Sequence, residues 1–174
     1  MKLVLIGYMA SGKTSIGKKL AKKINISFID LDEYIVEHEE MSISTIFKTK
    51  GEVYFRKIET QYLEELINTD KDFVLALGGG TPCYGNNLNV ILNNSISIYL
   101  KYSLQTAYNK LSKESIKHKR PLIASISNDD LKEFIAKHLF ERIPFYEQAN
   151  YTIRIDNKKK KEIVNEIIKL NKSS

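Results

Sequence analysis

With 174 residues, 43% of them hydrophobic and 28% charged, the chain has the size and composition of one soluble globular domain, 1–174, with room for a substantial core. No apolar run approaches the ~20 residues of a membrane span, and a single cysteine, Cys83, rules out an internal disulfide, as expected of a cytoplasmic protein. The formal net charge of +6 favours anionic partners. It does not by itself mark a nucleic-acid surface, since there is no zinc-finger spacing and no RNA-binding signature with interleaved aromatics.

The opening MKLVLIG predicts a buried strand at 2–6 that stops at Gly7. Its apolar run is too short for a signal-peptide core of roughly 7–15 residues, so no leader is expected. Ile16, Leu20, Ala21 and Ile24 recur at helical spacing over about 12–25. A strand at 27–29 runs into FIDLDEY, and if alternation continues, Asp30 and Asp32 face the same side. Helices follow at 33–39, from Ser42 as N-cap, and over about 52–68. FVLAL at 73–77 is another buried strand, ended by three glycines. A short helix at 88–92, a strand at 95–100 and a helix at 103–111 come next. Residues 112–122, SKESIKHKRPL, lack apolar periodicity and read as a mobile surface loop. A long helix opens at 127–130 and reaches about Ala149, with a kink at Pro144. A fifth strand at 151–155 and an amphipathic helix at 159–170 complete an α/β pattern, which argues a parallel sheet covered on both faces. The basic run 158–161 is the solvated start of that last helix, and His38, His118 and His138 are too scattered for a metal site.

Between the first strand and first helix lies GYMASGKT, residues 7–14, matching G-x-x-x-x-G-K-[ST]. Such a loop wraps phosphates in backbone N–H groups and presents them to a helix N-terminus. Lys13 is placed to neutralise β/γ oxygens, and Thr14 to hold Mg²⁺. A nucleoside triphosphate is therefore the expected ligand. Its phosphate could drive motion, time a switch or be transferred. NKLS and NKKK both lack the aspartate of a guanine-reading segment, and the chain is short for a motor, so a small-molecule kinase is the economical reading.

Three features bear on the acceptor. Asp30 and Asp32 stand at the carboxyl end of the second strand, where open α/β sheets bind ligands, although either could instead cap the following helix. In FRKIE, Arg56 and Glu59 are spaced to pair on one helical face, with Phe55 beside them; an ordinary surface pair is the alternative. LGGGT ends a buried strand with three glycines, which suits close backbone approach or positive φ.

In this order the motifs resemble the shikimate kinase family over essentially the whole chain: the phosphate loop, FIDLD, FRKIE, LALGGG, KRPL and ERIPFYEQA. The resemblance implies a three-layer α/β/α P-loop kinase fold with a five-stranded parallel sheet, acceptor-binding helices at about 32–68 and a mobile lid at about 112–124. It implies ATP-dependent phosphorylation of the shikimate 3-hydroxyl, with Mg²⁺ held by Thr14 and, through water, by Asp30. Ala10, Ser11, Gly12, Lys13, Thr14, Ser15, Lys110 and Arg120 would meet ATP. Asp32, Arg56, Gly78, Gly79, Gly80 and Arg142 would hold shikimate, with Phe47 and Phe55 along its carbon face. Lys13, Asp32 as base and Arg120 as lid arginine would carry catalysis. Ala10 stands where many members have glycine, with little harm expected, and Lys110 where an arginine often lies against adenine. A monomer acting on small molecules, without nucleic acid or membrane, is the expectation. A gluconate or nucleoside-monophosphate kinase, a nucleic-acid-stimulated ATPase and a degenerate kinase are the competing readings.

Overall fold

In the computed structural model, which describes residues 1–118 and 120–172, the chain forms the expected α/β succession. Strand β1 (Lys2–Ile6) leads through the glycine loop into α1 (Lys13–Ile24), and β2 (Ser27–Asp30) into α2 (Leu31–Glu39), α3 (Ile43–Thr49) and α4 (Gly51–Ile67). Strand β3 (Phe73–Ala76) is followed by a 3-10 turn, Thr81–Cys83, and α5 (Asn87–Asn94). After β4 (Ile96–Lys101) come α6 (Leu104–Leu111), the single turns α7 (Glu114–Lys117) and α8 (Pro121–Ala124), α9 (Asn128–Phe140) and α10 (Ile143–Tyr146). Strand β5 (Tyr151–Arg154) and α11 (Lys160–Lys172) follow.

The sheet has five parallel strands in the order β2-β3-β1-β4-β5, within a three-layer α/β/α fold. Strands β1, β3 and β4 are near-continuous apolar runs because they are covered on both faces, whereas β2 and β5 are the part-exposed edges. Helices α1 and α11 pack on one another and on the sheet, and α4 packs on α5. With β1 at the centre, its carboxyl end opens between strands reached by opposite crossovers, which is where ligands enter such sheets.

Ser42, Ser103 and Ser127 cap α3, α6 and α9 by accepting from the N–H of Thr45, Thr106 and Asp130. Elsewhere the structure departs from the sequence expectations. Asp32 is not on the strand: Asp30 ends β2 and caps α2, accepting from the Asp32 N–H at 3.1 Å, so helix geometry rather than strand alternation sets their relation. The segment at 112–122, expected as a mobile surface loop, carries one helical turn and the start of a second, with Lys119 outside the described residues. Burial of Lys117, whose Nζ donates to Asn128 Oδ1 at 3.0 Å, and of Ile123 ties the turns down. The long helix breaks at 141–142 rather than kinking, because Pro144 lacks an N–H and its ring would clash with the carbonyl four residues back, that of Phe140; a new turn starts at Ile143. That break puts Arg142 at a helix start.

Ala10 adopts φ 61°, the left-handed region. The expectation that alanine is harmless there is corrected, because a Cβ is strained in that conformation by ~1–2 kcal/mol. Glycine's greater freedom in the unfolded chain returns only ~0.4–1 kcal/mol of this. Ala10→Gly is thus expected to stabilise the protein by about 0.5–1 kcal/mol, read as a higher urea midpoint at unchanged m-value. A lower midpoint would contradict the strain.

Candidate active site

A cleft of about 450 Å³ opens at the carboxyl edge of β1 and β3. It brings together Ala10, Gly12, Lys13, Thr14, Ser15, Asp30, Asp32, Gly78, Gly79 and Arg120, with Ser115 and Ile116 of α7 contributing a wall. Gly12, at φ 92°, turns the loop into α1, so the first N–H groups of a twelve-residue helix face the cleft floor. Lys13 Nζ donates to the carbonyls of Gly7 (2.7 Å) and Tyr8 (3.1 Å), which holds the ammonium at the mouth of the loop. Thr14 Oγ1 donates to Asp30 Oδ2 at 2.7 Å, setting a hydroxyl and a carboxylate side by side.

Four charges share this space. Burial lowers the Lys13 ammonium to about 8, with Arg120 adding to the fall and Asp32 and Asp30 opposing it. Asp32 is pushed up to about 6, first by burial and then by Asp30 and Glu59, while Lys13 and Arg120 pull it back. A carboxylate so placed is ionised at neutral pH yet basic enough to accept a proton. Arg120 Nε is buried and, among the described residues, has no hydrogen-bond partner. A cationic donor left unsatisfied in a cleft is a site prepared for an anion.

The other predicted residues lie beside this cleft. Ser11 is buried behind the loop, and Lys110 Nζ lies 3.5 Å from the Ala10 carbonyl and 5.3 Å from the centre of the Tyr102 ring, outside the cleft lining. Arg56 NH1 donates to Glu59 (3.2 Å), its Nε and NH2 both donate to Glu52 Oε1, and its guanidinium lies 3.7 Å over the Tyr84 ring. Glu59 is buried and also accepts from Thr81 Oγ1 at 2.7 Å; burial raises its carboxyl, opposed by Thr81 and Arg56. Phe55 is buried below Arg56, and Phe47, partly exposed, meets it at 4.6 Å between ring centres.

The three glycines do not use left-handed φ. Close approach explains the first and third instead, while a Cβ on Gly79 would meet nothing nearer than 3.6 Å. A Cβ on Gly78 would stand 3.0 Å from Asp32 Oδ1 and from Thr81 Oγ1, and one on Gly80 would stand 3.2 Å from Arg56 NH1. Arg142 is mostly buried, and its NH1 donates to the His138 carbonyl at 2.9 Å. Arg56 and Arg142 both favour a Cys83 thiolate, but burial outweighs them and lifts the thiol to about 11, so Cys83 is a packed side chain and not a nucleophile.

Sequence reasoning did not mark Tyr8, His138 or Tyr84. Tyr8 occupies a free position of the phosphate-loop pattern, and its hydrogen-bond partner His138 lies 130 residues away, so no local pattern could pair them. Glu59 had a signal, its spacing from Arg56, but its burial was not visible there.

The family model described as shikimate kinase matches residues 9–172. A shikimate kinase of Flavobacterium psychrophilum is 49% identical over 97% of this chain and 98% of its own length. Among solved structures, the shikimate kinase of Bacteroides thetaiotaomicron superposes with TM-score 0.90 at 31% identity, over 99% of this chain and 98% of that one. That of Acinetobacter baumannii, in complex with shikimate, gives 0.87 at 29% identity over 99% and 93%. A phosphate loop and an acid pair lining one cleft, an arginine–glutamate pair beside it, and similarity over almost the whole chain place the protein in the shikimate kinase family.

Proposed function

We propose that the protein transfers the γ-phosphoryl group of ATP to the 3-hydroxyl of shikimate, giving ADP and shikimate 3-phosphate, a step of aromatic amino-acid biosynthesis. The observation that carries this reading is the cleft itself, where a phosphate loop faces a basic carboxylate and an unsatisfied arginine.

In this reading the loop around Ala10, Ser11, Gly12, Thr14 and Ser15 cradles the ATP phosphates, and Lys13 turns from the Gly7 and Tyr8 carbonyls to meet them. Lys110, beside the loop, faces the nucleotide; its ammonium lacks the planar surface that a guanidinium offers a base. Thr14 and Asp30 supply hard oxygen ligands side by side, which fits Mg²⁺. They would hold it, Asp30 through water, and the ion would screen phosphate charge. The shikimate carboxylate engages Arg56 and Arg142, for which the exposed Glu52 must release the Nε and NH2 edge of Arg56. Gly79 and Gly80 let their amides approach the ring hydroxyls, while Phe47 and Phe55 back its carbon face. Asp32 accepts the 3-hydroxyl proton as that oxygen bonds to the γ-phosphorus and the bond to the ADP oxygen breaks. Arg120 meets the charge that spreads over the transferring group. The segment at about 112–124 acts as a lid over helices 32–68, excluding water that would otherwise hydrolyse ATP. The enzyme works as a cytoplasmic monomer. No helix among the described residues is long and apolar enough to cross a membrane.

Two variants separate the roles. Arg120→Ala is expected to lower kcat by about 10³-fold with little change in shikimate affinity; unchanged kcat with a poorer KM would contradict the assignment. Arg56→Lys keeps a charge beside buried Glu59 but loses the planar fork. It is expected to raise the shikimate KM about 10- to 100-fold and leave the ATP KM unchanged. A matching rise in the ATP KM would show that Arg56 does not hold the acceptor.

A further inference from the structure

Tyr8 is an aromatic side chain inside the phosphate loop, and it is buried. Its hydroxyl shares a 2.8 Å hydrogen bond with Nδ1 of His138, in the last turn of α9, and the two rings meet edge to face at 5.5 Å. Burial, reinforced by Arg142 and opposed by Glu141, lowers His138 to about 4, and burial raises the Tyr8 hydroxyl well above its ordinary value. Both partners are therefore neutral at physiological pH. Phe134 packs on the far side of the imidazole at 5.2 Å.

The pair spans two halves of the site. At one end, the Tyr8 carbonyl is one of two that hold Lys13 Nζ in place. When the ammonium turns to a phosphate, the Tyr8 peptide loses that partner and the loop around it readjusts. At the other end, the His138 carbonyl accepts from Arg142 NH1, so a shift of this turn of α9 carries the Arg142 guanidinium with it. We propose that His138 is a positioning residue: through its bond to Tyr8 it links the phosphate loop to Arg142, so that nucleotide and acceptor each tighten the binding of the other. The inference rests on the shikimate kinase reading of the site and adds to it a residue that neither motif nor cleft includes.

The test is calorimetric titration of shikimate into the protein with and without saturating Mg-ADP. In the unaltered protein, nucleotide is expected to tighten shikimate binding about fivefold or more, the lower end of typical coupling between sites. Tyr8→Phe and His138→Phe, which keep the rings and remove the hydrogen bond, should each cut that ratio to below about twofold. The double variant should fall no further, because both changes break one link. His138→Asn, which returns a polar atom near the Nδ1 position, should recover coupling. In steady state, His138→Phe should raise the shikimate KM at saturating ATP with kcat nearly unchanged. Equal shikimate affinity with and without Mg-ADP in the unaltered protein would overturn the inference, as would single variants that keep the full ratio. Failure of shikimate to bind at all would instead strike the functional reading beneath it.

Discussion

A lysine, an arginine and two aspartates have to coexist in one partly desolvated cleft, and much of the architecture around it follows from that requirement. Isolated charges taken from water are costly, and Lys13, Asp30 and Asp32 are each offset by neighbours or by backbone groups. Asp30 is satisfied by Thr14 and by the start of α2, which leaves Asp32 as the acid carrying the burden of burial and like charge. That inequality leaves one acid bonded to the phosphate loop and the start of a helix, and the other more basic than an ordinary carboxylate. Arg120 stands within electrostatic reach of Asp32 but keeps a buried Nε with no hydrogen-bond partner among the described residues.

The fold delivers these groups through short connections. The phosphate loop leaves the central strand, the acids leave the edge strand two places away, and the glycines leave β3 between them, so three strand ends converge within a few residues of their termini. Beside the cleft stands a further buried charge, Glu59. Removing Arg56 altogether would strand that carboxylate at a cost of roughly 3–5 kcal/mol, so the proposed acceptor clamp is also part of the protein's stability. The absence of Cβ atoms at Gly78 and Gly80 is what lets Asp32, Glu59, Thr81 and Arg56 crowd so closely against β3's exit.

Most of the fold was legible in the sequence because its strands are uninterrupted apolar runs and its helices carry caps and periodicity. The strand at 73–77, the helix at 52–68 and the Ser42 cap appear where the pattern put them, within a residue or two. The misreadings share a cause: local pattern cannot report tertiary packing. Residues 112–122 have no apolar period, yet tertiary burial of Lys117 and Ile123 winds the segment into turns. Pro144 alone predicts a kink, but a complete break leaves Arg142 at the start of α10. Ala10 gave no hint of its left-handed backbone, which is imposed by the loop. In the site, motif residues were readable because their spacing is local. Tyr8 and His138 were not, since a hydrogen bond between residues so far apart leaves no trace in either neighbourhood.

The identity of the acceptor decides between a shikimate kinase and its rivals among small-molecule kinases. Its most direct test is ADP release from Mg-ATP with shikimate, gluconate, AMP or a polynucleotide offered separately, the product being located by phosphorus NMR. Release that depends on shikimate, with phosphate on the 3-hydroxyl, is the predicted result. Turnover with gluconate or AMP and none with shikimate would contradict the account, leaving the phosphate loop intact but the roles of Asp32, Arg56 and Arg142 reassigned.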